Sequence, residues 1–391
     1  MHLEIASIAP GILAFLVAAL TAFLLSRGSG FYRRLLSADG PGRYQGLDGL
    51  RGFLAFGVFL SHCVSSYYWH LTGVWSWPPP TFYPACGSVA VSLFFMITGF
   101  LFWQRAIRDS GRIEARRFFG SRLRRLAPMY LFCVTLVFAV VGARTRWTLQ
   151  VTPSDLALSL AAWAGLGMFG TPDINGLAHS KIIDPALWSL RYEWVFYLVL
   201  PFLAFLATPS RFIVPAIVGL ALPLTGRYGV LAPNFVIGMA VAHLDTARLL
   251  PTALRSPAVA VGTLLLMALG TLAAEGDFAV VPSLAVGPLF AAVVAGNTFF
   301  GTLSSRTMRF LGTISYSVYV LHGILLILAL GVINSVAPIA EMSAVTYWTL
   351  LQPVSAVVVL LSAATYRWIE HPFLRTTAVS AALDAGRPQL V

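Results

Sequence analysis

Apolar runs, each about as long as a bilayer core is thick, recur along the whole chain and are separated by short polar segments rich in Arg, Gly and Pro. A hydrocarbon core of roughly 30 Å is crossed by about 20 apolar helical residues. The first run, 5–26, is followed by Arg27, Arg33 and Arg34. A cleavable signal peptide carries its basic residues in front and has a shorter apolar stretch, so this run predicts a retained helix with its N-terminus outside. Further spans are expected over 47–64, 89–103, 126–142, 188–207, 212–226, 229–243, 257–274, 281–299, 310–331 and 346–366. The expected fold class is therefore all-α, a polytopic transmembrane bundle of about eleven crossings with its C-terminus inside.

One apolar segment, 155–170, is short and ends among Gly165, Gly167 and Gly170. Charge decides its reading. If it does not cross, the outer loops hold only Arg144, Arg146, Lys181, Arg191 and Arg227, and every other loop Arg falls inside. If it crosses, the later Arg-bearing loops move outside, against the positive-inside rule. It is read as an interfacial or re-entrant helix on the outer face. The Arg-rich stretch 104–125 is expected as a cytoplasmic loop. The stretch 67–82, with Tyr67, Tyr68, Trp69, Trp75, Trp77 and Pro78 to Pro80, is expected as an outer loop at the membrane interface.

Composition agrees with this picture. Hydrophobic residues make up 58% and charged residues 10% of the 391, where a soluble protein carries roughly 25% charged residues. The net charge of +11 would suggest nucleic acid in a soluble chain; here it sits in loops that fix orientation, and no nucleic-acid partner is expected. Cys63, Cys86 and Cys133 form no disulfide framework, although Cys63 and Cys86 could meet near the outer face. Buried thiols are the favoured reading. The His residues show no metal-ligand spacing, so no metal is expected.

Polar groups inside apolar runs carry the chemistry. A charged residue at mid-span costs roughly 2.5 to 3.5 kcal/mol, so it is usually functional. Arg51 and His62 are separated by close to three helical turns, which puts both on one face with His62 about 16 Å deeper, near mid-bilayer. Glu193 lies near the outer end of its span and needs a His or Arg partner; beside an imidazole it would fix the tautomer. Ser315, Tyr319 and His322 share one face of a later span, lining either a helix interface or a cavity. Arg122, Arg124 and Arg125 abut the span that follows them, and guanidinium forks suit the phosphates of a nucleotide-bearing donor. The competing readings are hydrogen bonding between helices for His62, a structural ion pair for Glu193, and orientation alone for the Arg residues.

In order and spacing these residues resemble the membrane acyltransferase 3 family, which includes O-acetylases of lipopolysaccharide O-antigen, exopolysaccharide and peptidoglycan. The matching blocks are the Arg51/His62 pair, 93–101 with Thr98 where the family commonly has Ser, and Arg122-Leu-Arg124-Arg125-Leu-Ala-Pro128. Three more follow: Trp188-Ser-Leu-Arg-Tyr-Glu193, 311–322 with Ser315, Tyr316, Tyr319 and His322, and Glu370-His-Pro372. The resemblance covers about 47–374. It implies ten spans, here preceded by an additional helix. The expected organisation is an N-terminal helix and cytoplasmic linker over 1–44, an acyltransferase-like membrane domain over 45–375 and a cytoplasmic tail over 376–391. Some relatives carry a C-terminal SGNH-type esterase domain; the sequence shows none, so the expectation is direct transfer or hand-over to a separate periplasmic or extracellular transferase.

The resulting expectation is a plasma-membrane enzyme with no bound cofactor. Acyl-CoA, as acetyl-CoA, would be the cytoplasmic donor and an outward-facing glycan or lipid-linked sugar the acceptor. Arg122, Arg124 and Arg125 would hold the donor phosphates and Arg51 its pantetheine arm. His62 would be general base or transient acyl carrier, with Glu193 orienting it or stabilising its cation. Thr98, Trp188, Ser315, Tyr316, Tyr319 and His322 are expected around the cavity. The alternatives are a transporter or flippase of a lipid-linked sugar, for which intramembrane Arg, His and Glu also suit, and a non-catalytic component of a glycan-assembly complex.

Overall fold

The computed structural model of the protein describes residues 4–38, 44–76, 82–226, 229–273 and 280–374. The expected tail 376–391, the linker residues 39–43, Trp77, Pro78 to Pro80 and Arg227 lie outside the described residues. Helix makes up 79% of the structure, with no strand among the described residues. In chain order come α1 (Ile8–Gly28), α2 (Gly30–Ala38), α3 (Gln45–Thr72), α4 (Phe82–Arg108), α5 (Ala115–Arg144) and α6 (Pro153–Ala164). A loop with two 3₁₀ turns leads to α7 (Leu190–Leu203), α8 (Ile213–Ala221), α9 (Ala232–Thr246), α10 (Pro257–Ala273) and α11 (Val280–Ala295). The chain ends with α12 (Arg306–Thr313), α13 (Ser315–Val336), α14 (Ala344–Thr365) and a π-helical turn, Tyr366–Glu370.

Among the described residues seven helical segments are long and apolar enough to cross a membrane: α1, α3, α4, α5, Leu187–Leu206 around α7, α13, and Ala344–Leu374 around α14. The chain is a multi-pass membrane protein. The four crossings expected between 212 and 299 form α8, α9, α10 and α11, of 9, 15, 17 and 16 residues. At 1.5 Å per residue these helices run about 14 to 26 Å. Prolines set several of their limits: Pro223 follows α8, Pro233 begins α9 and Pro257 opens α10, positions that suit a residue without an N–H. The doubtful segment 155–170 gives the 12-residue α6, capped by the Thr152 hydroxyl on the Asp155 N–H; at about 18 Å it is short of a hydrocarbon core.

Two boundaries differ from expectation in ways that shape the site. The Arg-rich 104–125 is mostly helical, because α4 continues to Arg108 and α5 starts at Ala115. Arg is a good helix former, so α5 extends beyond its apolar portion without a break. The span expected over 310–331 is divided at Ile314 into α12 and α13.

α3 and α13 form a wall between two apolar cores. Leu50, Leu54 and Val58 of α3 join Val320, Leu321 and Ile324 of α13 in one; Phe56, Phe59 and Leu60 join Val318 and Leu326 in the other. Bare backbone lets α12 lie directly on α3. A methyl group on Gly312 would overlap the Asp48 carbonyl, and one on Gly52 would lie 2.9 Å from the Gly312 nitrogen. α1 packs along α14 with Ala14, Ala18 and Ala22 buried at four-residue spacing, while Leu16, Leu20 and Leu24 face outward. Three side chains from beyond α1 hold its first turns: Trp348 Nε1 donates to the Ile5 carbonyl at 3.0 Å, Tyr83 Oη to Ser7 at 2.7 Å and Gln352 Nε2 to Pro10 at 3.4 Å.

Candidate active site

α3, α4, α5, α7 and α13 enclose a cavity of about 250 Å³. Arg51 of α3 faces it together with Arg122 and Arg125 of α5, and Glu193 and Tyr197 of α7 stand on its wall. Because α5 is helical through this stretch, Arg122 and Arg125 are one turn apart and share a face, whereas Arg124 points elsewhere. The Tyr197 hydroxyl donates to Glu193. Arg122 lies over the Phe102 ring, 4.8 Å from its centroid, and its Nε donates to Ser121 at 3.3 Å. The Nε of Arg51 is buried with no hydrogen-bond partner among the described residues. Three guanidiniums and one carboxylate thus line the cavity, and guanidinium forks can hold an anionic group.

Thr98 from α4 and Ser315, Tyr316 and Tyr319 from α13 complete the polar part of the wall. Tyr316 is held by a 2.8 Å bond to the Leu126 carbonyl and Tyr319 by a 2.6 Å bond to Ser189.

The two remaining sequence candidates on these helices meet each other. His62 Nδ1 lies 2.8 Å from His322 Nε2, with the rings 18° from coplanar and their centroids 5.1 Å apart. His322 Nδ1 is 2.9 Å from the Val318 carbonyl oxygen. His322 is fully buried, and its ring centroid lies 6.3 Å from that of Tyr319. The Trp75 ring lies 6.1 Å from His62. Among the described residues no carboxylate bonds either imidazole. Glu193, expected to orient His62, is instead tied to Tyr197 among the guanidiniums.

Arg124 and Trp188 are not on the cavity wall; Trp188 is 38% exposed and packs edge-on against Tyr192. Sequence reasoning missed Tyr197, which reads as one more aromatic in an apolar run. It also gave no role to Glu370, buried at 1% exposure in the π-helical turn. One Glu370 oxygen accepts from Ser317 at 3.0 Å and the other has no partner among the described residues. A lone carboxylate near the end of a long apolar helix was the available signal. Among the described residues no three His, Cys, Asp or Glu side chains are grouped to hold a metal ion, and Cys63, Cys86 and Cys133 are free thiols.

A family described as "Acyltransferase domain" matches residues 44–367. The exopolysaccharide production protein ExoZ of Rhizobium meliloti is 28% identical over 317 residues, 74% of this chain and 90% of ExoZ. The O-acetyltransferase OatA of Staphylococcus aureus is 28% identical over 181 residues, which are 44% of this chain but only 26% of OatA. Acyltransferase MdmB of Streptomyces mycarofaciens is 27% identical over 178 residues, 41% of this chain and 38% of MdmB. The match therefore spans about a quarter of OatA and under half of MdmB. No solved structure matches.

Proposed function

The chain belongs to the acyltransferase 3 family, and from that premise we propose that it is an O-acyltransferase of the cell's inner (plasma) membrane. It moves an acyl group, acetyl in the first instance, from cytoplasmic acyl-CoA to a hydroxyl of an outward-facing glycan or lipid-linked sugar. The names of OatA and ExoZ, an O-acetyltransferase and an exopolysaccharide production protein, lend this reading its chemistry. The observation that carries it is the cavity in which Arg51, Arg122 and Arg125 face Glu193 on the helices that also bear the His62–His322 pair.

In this reading Arg122 and Arg125 hold donor phosphates through planar, charge-assisted contacts, and Arg51 steers the thioester arm along α3 toward His62. Glu193 and Tyr197 keep the guanidiniums ordered while the site is empty. His62 accepts the proton of the acceptor hydroxyl as its oxygen bonds the thioester carbonyl carbon. The C–S bond then breaks and the sulfur takes the proton back from His62, so ester and free thiol leave with nothing else consumed. The ester leaves on the outer side, directly or by hand-over to a separate transferase.

Purified protein supplied with acetyl-CoA and a soluble oligosaccharide tests the reading. Release of CoA thiol that depends on the oligosaccharide is expected. Sugar movement across reconstituted vesicles without thiol release would make the protein a transporter, and neither activity would leave it an assembly component.

A further inference from the structure

Hydrogen-bond direction runs one way through the imidazole pair. A backbone carbonyl can only accept, so the contact from His322 Nδ1 to the Val318 oxygen at 2.9 Å requires the proton on Nδ1. In the neutral ring that leaves a lone pair on His322 Nε2. The nitrogen 2.8 Å from this lone pair, His62 Nδ1, must then carry its own proton and donate it. His62 Nε2 is consequently the unprotonated nitrogen, and it has no hydrogen-bond partner among the described residues.

We infer that His322 is a positioning residue, which locks His62 in the tautomer whose Nε2 can take a proton from the acceptor hydroxyl. This rests on the reading of His62 as base given above. A free imidazole turns and exchanges tautomers; here the backbone of α13 sets the proton position on one ring and the first ring sets it on the second. The direction of the bond does not change when His62 becomes imidazolium. Its Nδ1 still donates to His322, now as a charge-assisted bond, so the pair steadies the cation as it forms. The role a buried carboxylate plays in many hydrolases is filled here by a neutral ring, since no carboxylate bonds either imidazole among the described residues.

Two amides separate positioning from packing. His322→Gln carries an oxygen to about the place of Nε2 and can accept from His62. His322→Asn is shorter; it can keep the bond to Val318 but does not reach His62. For acetyl transfer by purified protein, His322→Gln should keep kcat within about 10-fold of wild type, while His322→Asn and His322→Ala should lose about 100-fold in kcat with little change in KM for acetyl-CoA. His322→Asn as active as His322→Gln would overturn the proposal.

A readout independent of turnover uses wild-type protein labelled with ¹⁵N-histidine, with the His62 signals assigned by their loss in His62→Gln. Neutral His62 should be protonated at Nδ1 and bare at Nε2. A proton at Nε2 would sink the inference even if His62 is essential. Conversely, the expected tautomer together with an active His62→Gln variant would leave the hydrogen-bond chain intact and refute the base assignment.

Discussion

α3 presents two different polar ends to the interior. At Arg51 the neighbourhood is charged: guanidiniums from α3 and α5 stand against carboxylates from α7 and the π-helical turn, around open space. At His62 the bonded groups are neutral: two rings and a backbone carbonyl, with a tryptophan alongside and no carboxylate bonded among the described residues. Guanidiniums on a cavity wall can make planar, charge-assisted contacts to an anionic group. A neutral chain whose hydrogen bonds have one direction is built to place a single proton. In the proposed function binding and proton transfer fall to two different positions on one helix, and they should fail differently.

The largest effect is expected at the neutral end. His62→Gln keeps a hydrogen-bonding group but cannot titrate, so transfer should fall by about 100- to 10,000-fold while donor binding, measured by calorimetry with acetyl-CoA, changes little. Near-normal turnover would erase the distinction between the ends. At the charged end Arg122→Ala should raise KM for acetyl-CoA by roughly 10- to 100-fold, the worth of one lost charge-assisted contact, with a smaller change in kcat. Arg122→Lys should recover only part of this, because an ammonium cannot copy the fork.

Gly312→Ala should disturb both ends together, since the added methyl pushes α12 off α3 at Asp48. A loss of about 1 to 3 kcal/mol is expected for overpacking of this kind, read as earlier thermal unfolding in detergent with kcat and KM both impaired. Impairment of one parameter alone would mean that the ends are not coupled through α3. The smallest effect is predicted for Arg124→Ala. Off the cavity wall, it should change KM by less than about 2-fold, and a change as large as that of Arg122→Ala would place the donor on a different face of α5.

What the amino-acid sequence revealed follows the same division. Arg51, Arg122, Arg125 and Glu193 were legible because a charge in or against an apolar run is costly and therefore conspicuous. The distinction of Arg124 from its neighbours was not, because it depends on α5 being helical where charge density suggested a loop. Pairing of His62 with His322 spans 260 residues; periodicity places each ring on a face but cannot bring α3 beside α13. Glu193 was expected at His62 because both needed partners, and only the packing shows that the Tyr197 hydroxyl bonds the carboxylate and that the imidazoles bond each other. The apolar runs predicted α1, α3, α4 and α14 well, while in the region 212–299, cut by prolines, α8 is shorter than its expected crossing and α9 is as long as expected but begins three residues later.

α1 lies outside the stretch matched by the family, yet residues within that stretch have given up their donors to it. The Trp348 indole, the Tyr83 hydroxyl and the Gln352 amide each bond a carbonyl in residues 5–10. Were the helix lost, the Trp348 indole and the Tyr83 hydroxyl would lose these partners, and a buried donor left unpaired is destabilising. The residues ahead of and opening α1 therefore complete the polar bonding of α4 and α14, with only the Gln352 amide keeping a second acceptor, the Trp348 carbonyl at 2.9 Å.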